Sequence, residues 1–242
     1  MASNIDYLSI DETYPVSGVD NSSQGFRDNF SVIKDNFSAA KVEIEDLQSS
    51  TAKVNANNNF LSNEISNATL VGVSDKVYTL PIITTGTPEI NFDNGSYHVL
   101  TIGADITFIL SGWAGIINGE RRMSKMRVEM YGDGGSEVTA GSFVIGQAYT
   151  INSVGTTTWT AIGAPNNTVG TTFIATGAGS GTGTAQLNRI PTFTAAAGGN
   201  IKYSDNWPSL LALTSASEPK IFEFWSWNGG SVVYANYLGS YA

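Results

Sequence analysis

Apolar residues recur with alternating gaps of four and three along the N-terminal third of the chain. The positions are Phe26, Phe30, Ile33, Phe37, Ala40, Ile44, Leu47, Thr51, Val54, Asn58, Leu61, Ile65 and Ala68. This alternation has the period of about 3.5 residues that is typical of a left-handed coiled coil, and neither glycine nor proline interrupts it. A lone helix cannot bury so narrow a stripe, so the pattern predicts a self-associating helical stalk over residues 25–71.

The heptad positions define the predicted subunit interface, with Phe30 at an a position and Phe26 at a d position. We predict that the interface is formed by Phe26, Phe30, Ile33, Phe37, Ile44, Leu47, Val54, Leu61 and Ile65. Polar Thr51 and Asn58 at a positions should fix the register, because a shifted alignment would set them against apolar layers. Residues 55–59 are poor helix formers, so any break is expected there. At about 1.5 Å per residue the stalk would be roughly 60 to 65 Å long.

Residues 1–24 are predicted to form an extended arm, because Pro15 and Gly18 interrupt any regular period. A segment this short cannot build a core of its own. It nevertheless carries apolar residues whose exposure is unfavourable unless a partner covers them. They are Ile5, Tyr7, Leu8, Ile10, Tyr14, Pro15, Val16 and Val19. We therefore expect the arm to anchor the protein to a larger assembly.

After Gly72 the pattern changes to the two-residue alternation of β-strands. Candidate strands alternate with turn sequences such as Asp93-Asn94-Gly95, and a hairpin is predicted around Asn228-Gly229-Gly230. Residues 72–140 and 189–242 are predicted to form one antiparallel β-sandwich. The expected fold class is therefore mainly β with an N-terminal α-helical coiled coil.

A block without charged residues lies between the two halves of the predicted sandwich. Residues 138–188 contain no Asp, Glu, Lys or Arg, although the whole chain has a net charge of −9. The change in composition predicts a small β-module over residues 141–188 that is inserted in a loop of the sandwich. Insertions are tolerated where both ends lie close together at an exposed turn, and Gly132-Asp133-Gly134-Gly135 offers such a turn.

Composition restricts the function classes. An acidic protein lacks the basic surface that binds nucleic acid by counterion release, so no nucleic-acid partner is expected. The chain has no cysteine, and with His98 as its one histidine it cannot form a multi-histidine metal site within one subunit. We expect His98 to be an ordinary surface or half-buried residue. No apolar segment is long enough to insert in a membrane, and the start of the chain lacks the pattern of a secretory signal. We expect no enzyme activity, no metal and no cofactor.

Basic residues form one candidate contact region. Arg121, Arg122, Lys125 and Arg127 place four bases within seven positions of an acidic protein. This segment could be a solvated loop or a contact to an acidic neighbour, such as a surface glycan or another protein.

Aromatic residues near the C-terminus form the second candidate region. Along one strand Phe222 and Phe224 face one side, and Trp225 and Trp227 face the other. One pair is expected in the core, and the other at a subunit interface or against sugar rings. The candidate contacts to a ligand or partner are Arg121, Arg122, Lys125, Trp225 and Trp227.

Three parts of the chain resemble structural proteins of tailed bacteriophages. Residues 10–16, 20–30 and 44–48 look like the N-terminal signature of virion proteins from phages of marine cyanobacteria. The block 143–185 is similar to a small module found in many phage structural proteins, on motifs that include Trp159-Thr160-Ala161-Ile162-Gly163. The final stretch, with Trp207-Pro208 and the aromatic residues that follow, resembles C-terminal β-domains of phage fibres.

The resemblance implies a homotrimeric fibre or appendage of a virion that is assembled in the host cytoplasm. Its arm would bind other virion proteins, its coiled coil would form a stalk, and its β head could adhere to a host-surface glycan. Two alternatives stay open at this point. One is a capsid or baseplate decoration protein without a host ligand. The other is a capsule depolymerase, which would need a pair of carboxylates that the sequence alone does not identify.

Overall fold

The computed structural model describes residues 3–52, 57–58, 60, 65–69, 71–117 and 119–241. The chain divides into two compact units, residues 1–70 and 71–242. Within the described residues, the first unit contains one α-helix and the second contains thirteen β-strands. The chain is therefore mainly β with an N-terminal helix, as the sequence predicts.

The helix α1 spans Ser23–Ser50 and is shorter than the predicted stalk. Thr51 has an extended backbone, with φ −95° and ψ 139°, and its N–H donates to the carbonyl of Leu47. Ser49 Oγ donates to the carbonyl of Asp46 at 2.9 Å, an example of the competition by which serine side chains weaken helix ends. A helix of 28 residues is roughly 42 Å long, so the predicted 60 to 65 Å is wrong for one continuous helix.

The predicted layers beyond Ser50 lie outside this helix. Thr51, Asn58, Ile65 and Ala68 are not helical, and Val54 and Leu61 fall outside the described residues. The described part of the Asn-rich run, residues 57–58, has no helical structure. Loss of helix in this run was expected from the low helix propensity of asparagine, but the helix already ends at Ser50, before the run begins.

The second unit contains three sheets. The strands are β1 Val77–Thr79, β2 Glu89–Asn91, β3 Tyr97–Ile102, β4 Ile106–Ser111, β5 Ser124–Gly132, β6 Glu137–Thr139, β7 Ala148–Ser153, β8 Thr172–Ile174, β9 Thr184–Leu187, β10 Pro191–Ala195, β11 Asn200–Tyr203, β12 Lys220–Ser226 and β13 Val232–Ser240. A six-stranded sheet has the order β1-β3-β5-β12-β13-β11, and a three-stranded sheet has the order β10-β4-β2. The four-stranded sheet has the order β6-β9-β7-β8.

The first two sheets are built by a chain that winds between them. Strands β1, β3 and β5 are parallel neighbours in one sheet, and β2, β4 and β10 are parallel neighbours in the other. Val77 pairs with Tyr97 and Glu89 pairs with Ile109, so the first turn is 20 residues long in both sheets. The antiparallel prediction is therefore wrong for these strands. It holds for β5, β12 and β13, including the predicted hairpin of β12 and β13.

The reason for this error lies in the turns. The predicted turn at Asp93-Asn94-Gly95 belongs to a short 3-10 segment and its cap, which carry the chain from β2 in one sheet to β3 in the other. A turn sequence shows that the chain changes direction. It does not show which sheet the next strand joins, because that depends on where the strand can bury its apolar side.

Both sheets contribute to one apolar core. Its buried residues are Ile90, Leu100, Ile102, Ile106, Phe108, Leu110, Met126, Val128, Met130, Phe193, Leu211, Leu213, Phe222, Phe224, Val233 and Ala235. Phe222 and Phe224 are completely buried, whereas Trp225 and Trp227 are half-buried on the opposite side. The sequence correctly predicted that one of these two pairs packs in the core.

The third sheet has a separate core. Its four strands pair antiparallel, and its core contains Trp159, whose ring contacts Phe143 and Phe173. The indole Nε1 donates to the carbonyl of Val154 at 3.0 Å. The sheet begins at β6, so this module starts a few residues before the predicted position 141.

The module replaces a crossover of the winding chain, since it lies in sequence between β5 and β10. Its two connecting segments are joined by Arg189, which donates to both carboxylate oxygens of Asp133 at 3.0 and 2.8 Å. The hydrogen bond from Arg189 holds the pKa of Asp133 below its ordinary value. The main chain also bridges the segments, because the N–H of Leu187 donates to the carbonyl of Ser136 at 3.0 Å.

Candidate functional site

The apolar stripe of α1 remains uncovered in the single chain. Phe26, Phe30, Phe37, Ile44 and Leu47 are 44, 68, 73, 53 and 63% exposed. The helix has no fully buried residue. Burying a large apolar side chain stabilises a protein by roughly 1.5 to 3 kcal/mol, so the exposure of this surface is unfavourable.

Other predicted interface residues differ from this exposed set. Ile33 is half-buried on the side of the stripe that faces the arm. Ile65 is 57% exposed but lies beyond the helix, and Val54 and Leu61 are outside the described residues. The continuous seam that the structure describes therefore runs from Phe26 to Leu47.

The arm lies antiparallel along one side of the helix and is held through its backbone. The N–H of Asp11 donates to Asn29 Oδ1 at 2.9 Å, and Asn29 Nδ2 donates to the carbonyl of Asp11 at 3.0 Å. Asn36 makes the same two bonds to Asp6, at 2.7 and 2.9 Å. Glu43 accepts from the N–H of Asn4 at 2.6 Å. Three residues spaced seven apart thus bind successive points of the arm.

The arm supports these bonds with turns of its own. The carboxylate of Asp6 accepts from the N–H of Leu8, and that of Asp11 accepts from the N–H and hydroxyl of Thr13. These bonds from Thr13 lower the pKa of Asp11.

Most anchor residues predicted in the arm stay exposed. Tyr7, Leu8, Val16 and Val19 are 71, 79, 50 and 61% exposed, as the backbone rather than these side chains contacts the helix. Ile5 is 41% exposed, and Pro15 is also exposed. Ile10 and Tyr14 are half-buried.

Tyr14 attaches the end of the arm to the start of the helix. Its ring packs edge-on against Phe26 with 5.1 Å between the centroids, and its hydroxyl donates to the carbonyl of Ser22. A Cβ at Gly25 would lie 2.6 Å from the Tyr14 ring, so only glycine permits this contact.

The heptad spacing does not predict the role of Asn29, Asn36 and Glu43 in binding the arm. A signal was present, because Arg27-Asp28-Asn29-Phe30-Ser31 is followed seven residues later by Lys34-Asp35-Asn36-Phe37-Ser38. The spacing showed the apolar seam, and the repeated asparagines beside it mark a second, polar stripe.

A row of aromatic and basic side chains crosses the outer surface of the six-stranded sheet. Lys125, Trp225, Tyr234 and Lys202 are directly paired on β5, β12, β13 and β11. The rings of Trp225 and Tyr234 are stacked, with centroids 5.5 Å apart and planes inclined by 13°. Lys202 Nζ lies 5.9 Å from the centroid of Tyr234.

A second ring extends this surface. The guanidinium carbon of Arg121 lies 4.6 Å from the centroid of Trp227, within the range of a cation–π contact. We call Arg121, Lys125, Lys202, Trp225, Trp227 and Tyr234 the aromatic–basic face. The structure thus joins four of the five predicted contact residues, while Arg122 is half-buried.

One carboxylate balances part of this positive charge. Glu223 Oε1 lies 3.1 Å from Arg127 Nε and 3.5 Å from Lys125 Nζ. Because both bases are about half exposed, these ion pairs are weak and leave Lys125 able to bind an incoming anion.

Tyr97 with Glu129, and His98, are two further groups of titratable side chains, and their contacts within the sheets account for their positions. The hydroxyl of Tyr97 donates to Glu129 at 2.7 Å, and burial together with this bond raises the pKa of Tyr97 to about 12. His98 is completely buried, contrary to our expectation, with Nε2 2.9 Å from the carbonyl oxygen of Gly95. Burial lowers the pKa of His98.

Among the described residues, no group of three or more His, Cys, Asp or Glu side chains could hold a metal ion. Within the same residues, no helix is both long and apolar enough to cross a membrane. No protein-family model, curated protein or solved structure matches the chain.

Proposed function

We propose that the protein is a homotrimeric structural appendage of a tailed-phage virion. The observation that carries this proposal is the exposed seam from Phe26 to Leu47, which has the heptad spacing of a coiled coil. The helix forms the stalk, the arm binds other virion proteins, and a β-sandwich head with its inserted module is displayed. Assignment to a virion is supported by the sequence resemblance.

The position of the arm on the helix supports these separate roles of arm and seam. Its hydrogen bonds use Asn29, Asn36 and Glu43, which lie beside the seam rather than in it. The arm can therefore stay docked while the seam is buried between subunits. Tyr7 and Leu8 remain exposed for a further partner.

Sedimentation equilibrium tests the association. The protein is expected to be a trimer at micromolar concentration, and the double variant Phe30→Asp with Phe37→Asp a monomer, because charge would be buried in the seam. The matched control is Ser31→Asp with Ser38→Asp, which adds the same charge at exposed b positions outside the seam. A monomeric parent protein, or a trimeric double Phe variant, would refute the proposal.

A second function, adhesion to glycans, is favoured by the aromatic–basic face. Stacked rings offer flat apolar surfaces to sugar C–H groups, and the flanking cations attract carboxylate or sulfate substituents. Three copies in a trimer would strengthen weak binding by avidity. The alternatives are a decoration protein, which would bind no glycan, and a depolymerase, which would release new reducing ends.

Binding to immobilised alginate and heparin, with neutral dextran for comparison, tests this function. We expect retention on the anionic polysaccharides and its loss in Trp225→Ala, because half of the stacked pair is removed. Tyr241→Ala, which removes an exposed ring outside the face, is the control. Equal retention of the parent and Trp225→Ala would exclude this face as the binding site.

A further inference from the structure

The two flanks of the helical seam differ in charge. In the heptad frame of Phe30, the e positions on one flank are Arg27, Lys34 and Lys41. The g positions on the other flank are Asn29, Asn36 and Glu43, and the arm covers them. Coiled coils commonly place acids at g opposite bases at e of the adjacent helix. Here two g positions carry neutral asparagines whose amides are used by the arm.

The arm brings carboxylates to the same flank. Asn36 binds the backbone of Asp6, and Asn29 binds the backbone of Asp11. Asp6 and Asp11 are exposed and, through their turn hydrogen bonds, held close to these positions. The docked arm therefore supplies the acidic charge that the helix itself lacks at Asn29 and Asn36.

We propose that the arm of each chain provides the acidic partners of Lys34 and Lys41 in a neighbouring copy of this chain. The proposal rests on the proposed self-association. In a parallel coiled coil, each g residue lies beside the e residue five positions further along the adjacent helix. Asn36 with its bound Asp6 then lies beside Lys41, and Asn29 with its bound Asp11 lies beside Lys34.

This pairing selects the parallel orientation. An antiparallel arrangement brings e positions beside e positions, so it would set lysines and arginine against each other. In the single chain Lys41 Nζ lies 3.6 Å from Glu45 Oε1, but both side chains are more than 60% exposed. Such an exposed pair is weak, so it does not prevent Lys41 from contacting an adjacent arm.

Charge neutralisation provides a direct test. Asp6→Asn with Asp11→Asn keeps a side-chain oxygen for each turn but removes both negative charges. Lys34→Gln with Lys41→Gln removes their expected partners. By sedimentation equilibrium in about 50 mM salt, each double variant should raise the concentration at half-association roughly fivefold, and in about 500 mM salt the difference should vanish.

The matched control is Asp28→Asn with Asp35→Asn. It removes the same charge from heptad-related positions on the far side of the helix and should leave association unchanged. Combining the two double variants should weaken association no further than either does alone, because both remove the same ion pairs.

Three results overturn the inference. Additive effects of the two double variants would show that the charges act independently, and an equal effect of the control would show a general charge effect. Association of the Asp6 and Asp11 variant identical to that of the parent at low salt would show that the arm makes no such contact. In all three cases the parent protein still associates, whereas a monomeric parent would also refute the proposed function.

Discussion

The two units of the molecule use the same residue type in opposite ways. In the β unit Phe108, Phe222 and Phe224 are completely buried, whereas Phe30 and Phe37 of the helix are 68 and 73% exposed. The β unit covers its apolar residues by stacking two sheets on one core. A single helix with a docked polar arm has no second layer, so its apolar side chains stay exposed in the single chain, which supports the proposed association. Stability within the chain and association between chains should therefore be separable.

The largest effect is expected from a substitution in the buried core of the β unit. Phe224→Ala should lower the free energy of unfolding of the β unit by about 3 to 5 kcal/mol, because it leaves a cavity against Phe193 and Phe222. Denaturant unfolding followed by near-ultraviolet circular dichroism would measure this loss. Phe37→Ala is the matched variant in the helix and should leave the β-unit transition unchanged. Equal destabilisation by both variants would contradict the separation.

A smaller effect tests whether the module depends on its own core. A Cβ at Gly183 would lie 2.6 Å from Trp159 Cζ2 and 2.6 Å from the carbonyl oxygen of Val154. Gly183→Ala should therefore destabilise the module by about 1 to 3 kcal/mol through overpacking. Trp159 fluorescence during unfolding should report it, on a background in which the other tryptophans are replaced by phenylalanine.

Gly177→Ala is the control for this variant within the same module. Its added Cβ would lie 3.6 Å from Ile162 Cγ2, an ordinary contact, so little change is expected. If both glycine variants unfold like the parent, Trp159 is not packed as closely as the structure describes.

A further effect concerns the pH dependence of the β unit. The pKa of buried His98 is lower in the folded protein than its ordinary 6.5, so the unfolded chain binds a proton first as the pH falls. The stabilisation is present above pH 6.5 and is lost as the pH falls towards the folded-state pKa. As the pH falls below 6.5, the free energy of unfolding should fall, and this pH dependence should weaken in His98→Gln. An unchanged slope in that variant would assign the dependence to other groups.

The smallest effect on the two larger sheets is expected from deletion of the inserted module. Deleting residues 136–187 and joining Gly135 to Asn188 removes the module where its connecting segments already touch. The remaining strands should keep their unfolding midpoint, because the two cores share no residue. Aggregation of this deletion variant, where the parent is soluble, would show that the module supports the two larger sheets.

Local signals were sufficient for several elements. The alternation around Phe222 and Phe224 predicted that one side of β12 is buried, and the structure shows that it is the side of these two residues. The predicted hairpin after β12 is also correct. The absence of charge from residues 138–188 pointed to a region with a separate core. The heptad spacing predicted a helix, but the loss of helix after Ser50 depended on backbone competition that spacing does not measure.

The candidate surfaces needed more than local pattern. The row of Lys125, Trp225, Tyr234 and Lys202 is assembled from strands as far as about 110 residues apart in sequence, so it depends on strand register. The hydrogen bonds from Asn29 and Asn36 to the arm depend on the antiparallel path of a segment without a regular period.

The sequence by itself determined the helical seam, the alternating strands, the hairpin and the uncharged module, because each depends on neighbouring residues and a fixed period. Tertiary structure decided which sheet receives each strand, why β1 to β5 wind in parallel, and which polar residues of the helix hold the arm. These features depend on burial and on hydrogen bonds between distant segments, since a turn sequence or an asparagine is compatible with several partners until the chain packs.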